Sequence, residues 1–170
     1  MGIADGRTAL LVISDREPLL WMLRTSSFAI PATRAASAPR PGTTLLLYTT
    51  RGCYRNPTRD RGLVMGIARV TSDPQPLETA VAFRGHEYRI GMSLQIEGAC
   101  FPHEGVELGA VRHELDLLPD TGPWSYRTRR SIVNLTDHDA TLIRERLEPV
   151  LRPVPEVLPT YVRAARLAEL

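Results

Sequence analysis

The sequence predicts an α/β (α+β) domain in which a curved mixed sheet is flanked by helices. Three observations carry that expectation. Two β-rich runs, residues 45–50 and 62–72, border an arginine-rich loop full of turn formers. Across 88–97, Tyr88, Ile90, Met92, Leu94 and Ile96 alternate with Arg89, Gly91, Ser93, Gln95 and Glu97, the pattern of a half-buried antiparallel strand. Ser14 with Glu17, and Thr136 with Asp139, stand at the spacing of helix caps ahead of apolar runs.

The elements follow in order. Thr8–Ile13 is a short apolar run and the first strand. Ser14 as cap, and Pro18 in the first turn where its missing N–H costs little, place a helix over 15–24. Its Leu19, Leu20, Trp21, Met22 and Leu23 form a wide apolar surface for the sheet to cover, which assigns Trp21 to the core. Residues 25–32 read as a loop with one aromatic, and 35–41 as a Pro- and Ala-containing stretch without periodicity. Leu45, Leu46 and Leu47 are unbroken apolar, as in a strand covered on both faces, and Tyr48, Thr49 and Thr50 form its polar end. Gly66 and Ala68 in the next strand mark a bend or a close approach.

Farther on, 73–76 reads as a turn, 79–83 as a strand, and Arg84-Gly85-His86 as the tight connection into the alternating strand. Residues 98–109 are irregular, and 111–118 fits a strand or a helical turn equally. Residues 131–135 read as a strand, and 140–147 as a helix that stops before Pro149. The tail carries Pro153, Pro155 and Pro159, then an amphipathic 161–170 that suits packing on the body or on a second copy.

A chain of 170 residues buries one real core, so we expect a single domain over 1–152 and a Pro-containing tail over 153–170. Net charge is only +2, so any nucleic-acid binding must come from clustered charge. All 21 basic residues are arginines, forked donors suited to phosphate oxygens and base edges, although a GC-rich coding bias also explains the absence of lysine. Two cysteines, Cys53 and Cys100, make no disulfide framework, and no signal segment opens the chain; the expectation is a cytoplasmic protein. No apolar run is long enough for a bilayer.

Catalytic signatures are missing: there is no Gly-rich phosphate loop, His-Glu-x-x-His pair, Gly-x-Ser-x-Gly elbow or Cys-x-x-Cys pair. Cys100, His103 and His113 lie close in sequence, but Cys53, His86 and His138 are scattered, so neither a metal nor a cofactor is expected. Binding is the better reading. Arg51, Tyr54, Arg55, Arg59 and Arg61 share one loop, and Trp124, Tyr126, Arg127, Arg129 and Arg130 share another segment. Arginines release counterions from phosphates, and aromatic faces stack bases at about 1–3 kcal/mol each.

The order Pro41-Gly42-Thr43, an apolar strand ending in Tyr48-Thr49-Thr50, a loop, then Gly62-Leu63-Val64-Met65-Gly66-Ile67-Ala68-Arg69-Val70-Thr71-Ser72 resembles the EVE domains of the PUA-like superfamily. Arg129-Arg130-Ser131-Ile132 resembles their late Arg-containing segment, and the likeness covers residues 9–150. Two departures stand out: the opening, from Val12 to Pro18, keeps only a loose likeness, and the loop of residues 51–61 is longer than the pattern.

The resemblance implies a PUA-like pseudo-barrel and a non-catalytic nucleic-acid reader, for a modified base and with DNA slightly favoured. A flipped base needs an aromatic floor and hydrogen-bonding groups at its edge. The candidates are Phe28, Tyr48 and Trp124 for stacking, and Ser27, Thr49 and Thr50 for the edge. Arg51, Arg55, Arg59, Arg61, Arg127, Arg129 and Arg130 are the candidate phosphate ligands. ASCH domains of the same superfamily carry a lysine-containing signature that this lysine-free chain cannot supply, which weakens a ribonuclease reading. A small-molecule or nucleotide-binding domain and a nucleic-acid hydrolase are the alternatives. Oligomeric state is left open.

Overall fold

The computed structural model describes residues 6–56, 58, 60–117 and 131–167. Among them, β1 (Thr8–Ile13), β2 (Ser27–Ile30), β3 (Thr44–Thr49), β4 (Leu63–Val70), β5 (Gln75–Phe83), β6 (His86–Ala99), β7 (Val106–Glu107) and β8 (Ile132–Asn134) form one mixed sheet. Four helices accompany it: α1 (Arg16–Thr25), α2 (Leu108–Val111), α3 (Asp137–Leu147) and α4 (Val154–Leu167).

The sheet is ordered β2-β6-β4-β3-β1-β8, with β5 also on β6 and β7 on β4. The β1–β3 pair is parallel, from Thr8 opposite Thr44 to Ile13 opposite Thr49, because α1 and β2 intervene in the chain. Its neighbours are antiparallel. The long β6 makes the sheet curl: Leu94 to Ala99 pair with β4, whereas the earlier half pairs with β2 on one side and β5 on the other. Register shifts at Leu47/Tyr48 and Ile67/Ala68 sharpen the bend. Gly66 sits there for a steric reason, since a Cβ would lie 3.0 Å from the Gly98 carbonyl oxygen and 3.1 Å from Leu47. The result is the curved half-barrel with flanking helices that the sequence predicts.

Leu45, Leu46 and Leu47 are fully buried, as their unbroken apolar run requires. Leu19, Met22 and Leu23 of α1, Ile143 and Leu147 of α3, and Val157 and Tyr161 of α4 complete the core. Helix α1 is capped by Asp15 rather than Ser14: the Glu17 N–H donates to Asp15 Oδ1 over 2.9 Å. It ends at Ser26 in the left-handed conformation, whose N–H reaches the Met22 carbonyl. Thr136 caps α3 as expected, accepting from the Asp139 N–H over 3.2 Å. The fully buried Asp139 carboxylate, however, receives the N–H groups of Asp116 and Leu117, each over 2.8 Å, and so ties that loop to α3.

Three readings change and two open ones are decided. Residues 27–30 form a strand rather than a loop, held by pairing with residues 90–93 of β6. Strand β5 starts at Gln75, where a turn was expected, and carries its irregularity between Pro76 and Val81. The region of residues 98–109 is not wholly irregular, since it contains β7 and the start of α2; the ambiguous stretch after it is the end of α2 and a 3-10 turn at Arg112–Glu114. In the tail, α4 packs on α1 and β6, with the Tyr161 hydroxyl donating to the Cys100 carbonyl over 2.7 Å.

Candidate nucleic-acid interface

A cleft of about 1010 Å³ runs along β1. Arg7, Ala9, Leu11, Ile13 and Asp15 all line it. Every second residue of a strand points to one side, which accounts for Ala9, Leu11 and Ile13, while Val12 and Ser14 also line the cleft where β1 ends. Opposite walls come from α1, β2, the 3-10 turn Ala32–Ser37, the β5–β6 hairpin and β8.

At one end three half-buried aromatic rings gather. Trp21 meets Phe83 edge-on with ring centres 5.8 Å apart, and Phe83 meets Tyr88 at 5.7 Å. The hairpin turn brings Phe83 and Tyr88 together, and α1 delivers Trp21. Buried Phe28 and Met22 close the floor. Asp15 sits at this end with 4 % exposure. Its Oδ1 caps α1, but its Oδ2 accepts no hydrogen bond, lying 3.5 Å from Arg84 Nε and 3.8 Å from Arg55 Nη2. Arg55 and Arg84 both have left-handed backbones, φ 60° and 50°. Such a conformation costs a residue with a side chain roughly 1–2 kcal/mol.

The rest of the rim is basic. Arg34 donates to the Ser131 hydroxyl, bridging the 3-10 turn to the start of β8. Arg40 and Arg7 stand at the far end, brought close because Thr43 N–H bonds the Arg40 carbonyl and Thr44 N–H bonds the Arg7 carbonyl. An aromatic floor with an arginine rim can stack a planar ring and hold an anion beside it.

The residues singled out from sequence divide. Phe28 lines the cleft; Ser27, Tyr48, Thr49 and Thr50 do not. Ser27 is half-buried and donates to the Thr25 carbonyl over 3.3 Å. Tyr48 is 2 % exposed, and its hydroxyl end packs on Gly62, where a Cβ would come within 2.1 Å of it. Burial pushes the Tyr48 phenol up, so it stays protonated. Thr49, also 2 % exposed, donates to the Leu63 carbonyl over 3.3 Å, and Thr50 is tied by its N–H to the Ile13 carbonyl. Tyr48 and Thr49 are therefore enclosed by the protein's own packing, and Thr50, just past β3, is half-buried. In the long loop, Arg51 is exposed, Arg55 pairs with Asp15 and Glu17, and Arg61 pairs with Glu107 over 3.0 Å. Arg59, Trp124, Arg127, Arg129 and Arg130 lie outside the described residues.

Sequence reasoning left out Trp21, Phe83, Tyr88, Arg34, Arg40 and Arg84. One signal was available: a tight Arg84-Gly85-His86 turn between two strands forces the flanking Phe83 and Tyr88 into one neighbourhood.

Two other polar groupings are committed elsewhere. Asp116, His138 and Asp139 have donor atoms within 4.8 Å of one another. Asp139 already holds two amides, Asp116 accepts from Thr136, and His138 Nε2 bonds the Glu114 carbonyl, which also raises the His138 pKa. Cys53 and Cys100 are free and buried; burial pushes the Cys53 thiol up and the Cys100 thiol up to about 11, so neither is a ready nucleophile.

No family model matches the chain, and no curated protein matches it. Solved structures do. The YTH domain of the Zygosaccharomyces rouxii MRB1 protein, in complex with N6-methyladenosine RNA, aligns with TM-score 0.54 at 15% identity, over 85% of this chain and 89% of that one. The Toxoplasma CPSF4-YTH domain aligns with TM-score 0.52 at 12% identity, over 86% and 88%. A Pseudomonas syringae protein aligns with TM-score 0.54 at 16% identity, over 82% and 99%. At such identities the likeness is one of fold: a PUA-like curled half-barrel with flanking helices, as in these YTH domains, and the resemblance to EVE domains in particular is not shown by them.

Proposed function

We propose that this protein is an EVE-like reader of single-stranded nucleic acid, RNA rather than DNA, that holds one modified base in the cleft beside β1. The observation that carries the reading is the aromatic group of Trp21, Phe83 and Tyr88 set beside a buried Asp15 and an arginine rim. Half-buried rings leave faces for a base to stack on, worth about 1–3 kcal/mol per base. Asp15 Oδ2 is a buried acceptor without a hydrogen bond, a natural partner for an amino or imino N–H on the edge of that base. The arginines supply phosphate contacts that weaken as salt rises. RNA takes the place of the DNA expected from sequence because the YTH structures that share the fold, where a nucleic-acid ligand is named, hold RNA. Nothing in this reading requires a catalytic group.

Fluorescence anisotropy with labelled single-stranded RNA and DNA, each with and without N6-methyladenine, at two salt concentrations tests it. Salt-sensitive binding with RNA and the modified base preferred is expected. Absence of binding to every oligonucleotide at low salt overturns the proposal.

A further inference from the structure

The cleft is larger and longer than one base requires. Its volume of about 1010 Å³ stands at the upper end of sites that enclose whole drug-sized molecules, about 300–1,000 Å³. Its length follows from its lining. Arg7 and Asp15 lie at its two ends, flanking β1, and at about 3.3 Å per extended residue they are roughly 25 Å apart. A stacked strand advances about 3.4 Å per nucleotide, so that distance exceeds three nucleotides even when the backbone is drawn out to twice that rise.

The two ends also differ in chemistry. Rings and the buried carboxylate occupy the Asp15 end. The rest carries no aromatic ring: aliphatic residues such as Leu11 and Ile132 line it, and its charged groups are arginines set in a fixed sequence along β1. Arg34 comes first, at the level of Val12, because it bonds Ser131 and the Val12 N–H bonds the Ser131 carbonyl. Asn134 follows opposite Ala9, and Arg40 and Arg7 come last. Arg40 is exposed and makes no ion pair among the described residues.

Resting on the base-reading proposal above, we infer that the binding unit is a run of at least three nucleotides laid in one direction along β1. One terminal base stacks among Trp21, Phe83 and Tyr88, and the phosphates behind it pass Arg34 and then Arg40 and Arg7. Only the nucleotide at the aromatic end needs a base; the others are held by their backbone.

A length series of one to six nucleotides, measured by calorimetry on the full chain, tests this. Affinity rises at least about tenfold between the mononucleotide and the trinucleotide and then levels off. Two trinucleotides that carry a single base at opposite ends, with abasic sites elsewhere, differ by about tenfold, because one direction places the base on the rings. The Arg34→Ala/Arg40→Ala variant loses most of the gain with length, whereas Arg146→Ala on α3 keeps it. Equal affinity of mono- and trinucleotide, or equal affinity of the two abasic trinucleotides, overturns the inference while leaving base reading intact. Failure of every length to bind overturns both.

Discussion

The two ends of the neighbouring parallel strands β1 and β3 carry similar residue types and behave in opposite ways. Where β3 ends, Tyr48 and Thr49 are buried, and nearby Tyr54 and Tyr161 are buried with them; Thr49 and Tyr161 donate to main-chain carbonyls of the protein. Where β1 ends, Trp21, Phe83 and Tyr88 keep part of their faces open, and Asp15 keeps one oxygen without a hydrogen bond. Aromatic and polar composition therefore does not separate a core from a site. How much of the ring faces stays open does.

The sharpest way to break this contrast is to excavate each side. Leu46→Ala, on the closed side, is expected to lower unfolding free energy by about 2–5 kcal/mol in urea titrations, because a fully buried side chain leaves a cavity. The Phe83→Ala/Tyr88→Ala pair, on the open side, is expected to weaken oligonucleotide binding by roughly 1–3 kcal/mol while costing far less stability. If the pair unfolds the protein as Leu46→Ala does, the rings belong to the core and the contrast is wrong.

A smaller effect separates the hydroxyls. Tyr161→Phe removes a buried hydrogen bond to the Cys100 carbonyl, and about 1–2 kcal/mol of stability is expected to go with it. Tyr88→Phe on the open side is expected to leave the urea midpoint unchanged.

The last prediction concerns pH. Burial raises the Cys100 thiol from 9.0 to about 11, so the folded chain keeps a proton that the unfolded chain loses in that interval. Stability is therefore fully present below pH 9 and declines as pH climbs from 9.0 toward 11. Urea midpoints across that range check the slope. A thiol reagent at pH 8 is expected to label neither cysteine until urea is added.

Much of the fold was legible because it rests on local periodicity. Thr8–Ile13 emerged with its observed limits, and α1, β3, β4, β6 and α3 came within a few residues. Strand β2 was hidden: Ser26 and Ser27 on one side and Pro31 on the other read as loop, and only the long-range pairing with β6 makes four residues a strand. The site was less legible for the same reason. Phe28, a candidate from sequence, lines the cleft, but Trp21 looks like core on an apolar helix, and its approach to Phe83 depends on where the hairpin folds. Thr49 lies away from the cleft because a hydroxyl in a strand can be consumed by a neighbouring carbonyl, here that of Leu63.

One small clasp has a practical consequence. Ala99 and Arg152 exchange both main-chain hydrogen bonds, 3.0 and 2.9 Å, and so fasten the end of β6 to the entrance of α4. Shortening the protein before Arg152 would leave those peptide groups, the Cys100 carbonyl and the surface under Val157 open to solvent at once. Anyone trimming this protein for expression should treat residues 152–161 as a staple and place tags beyond them.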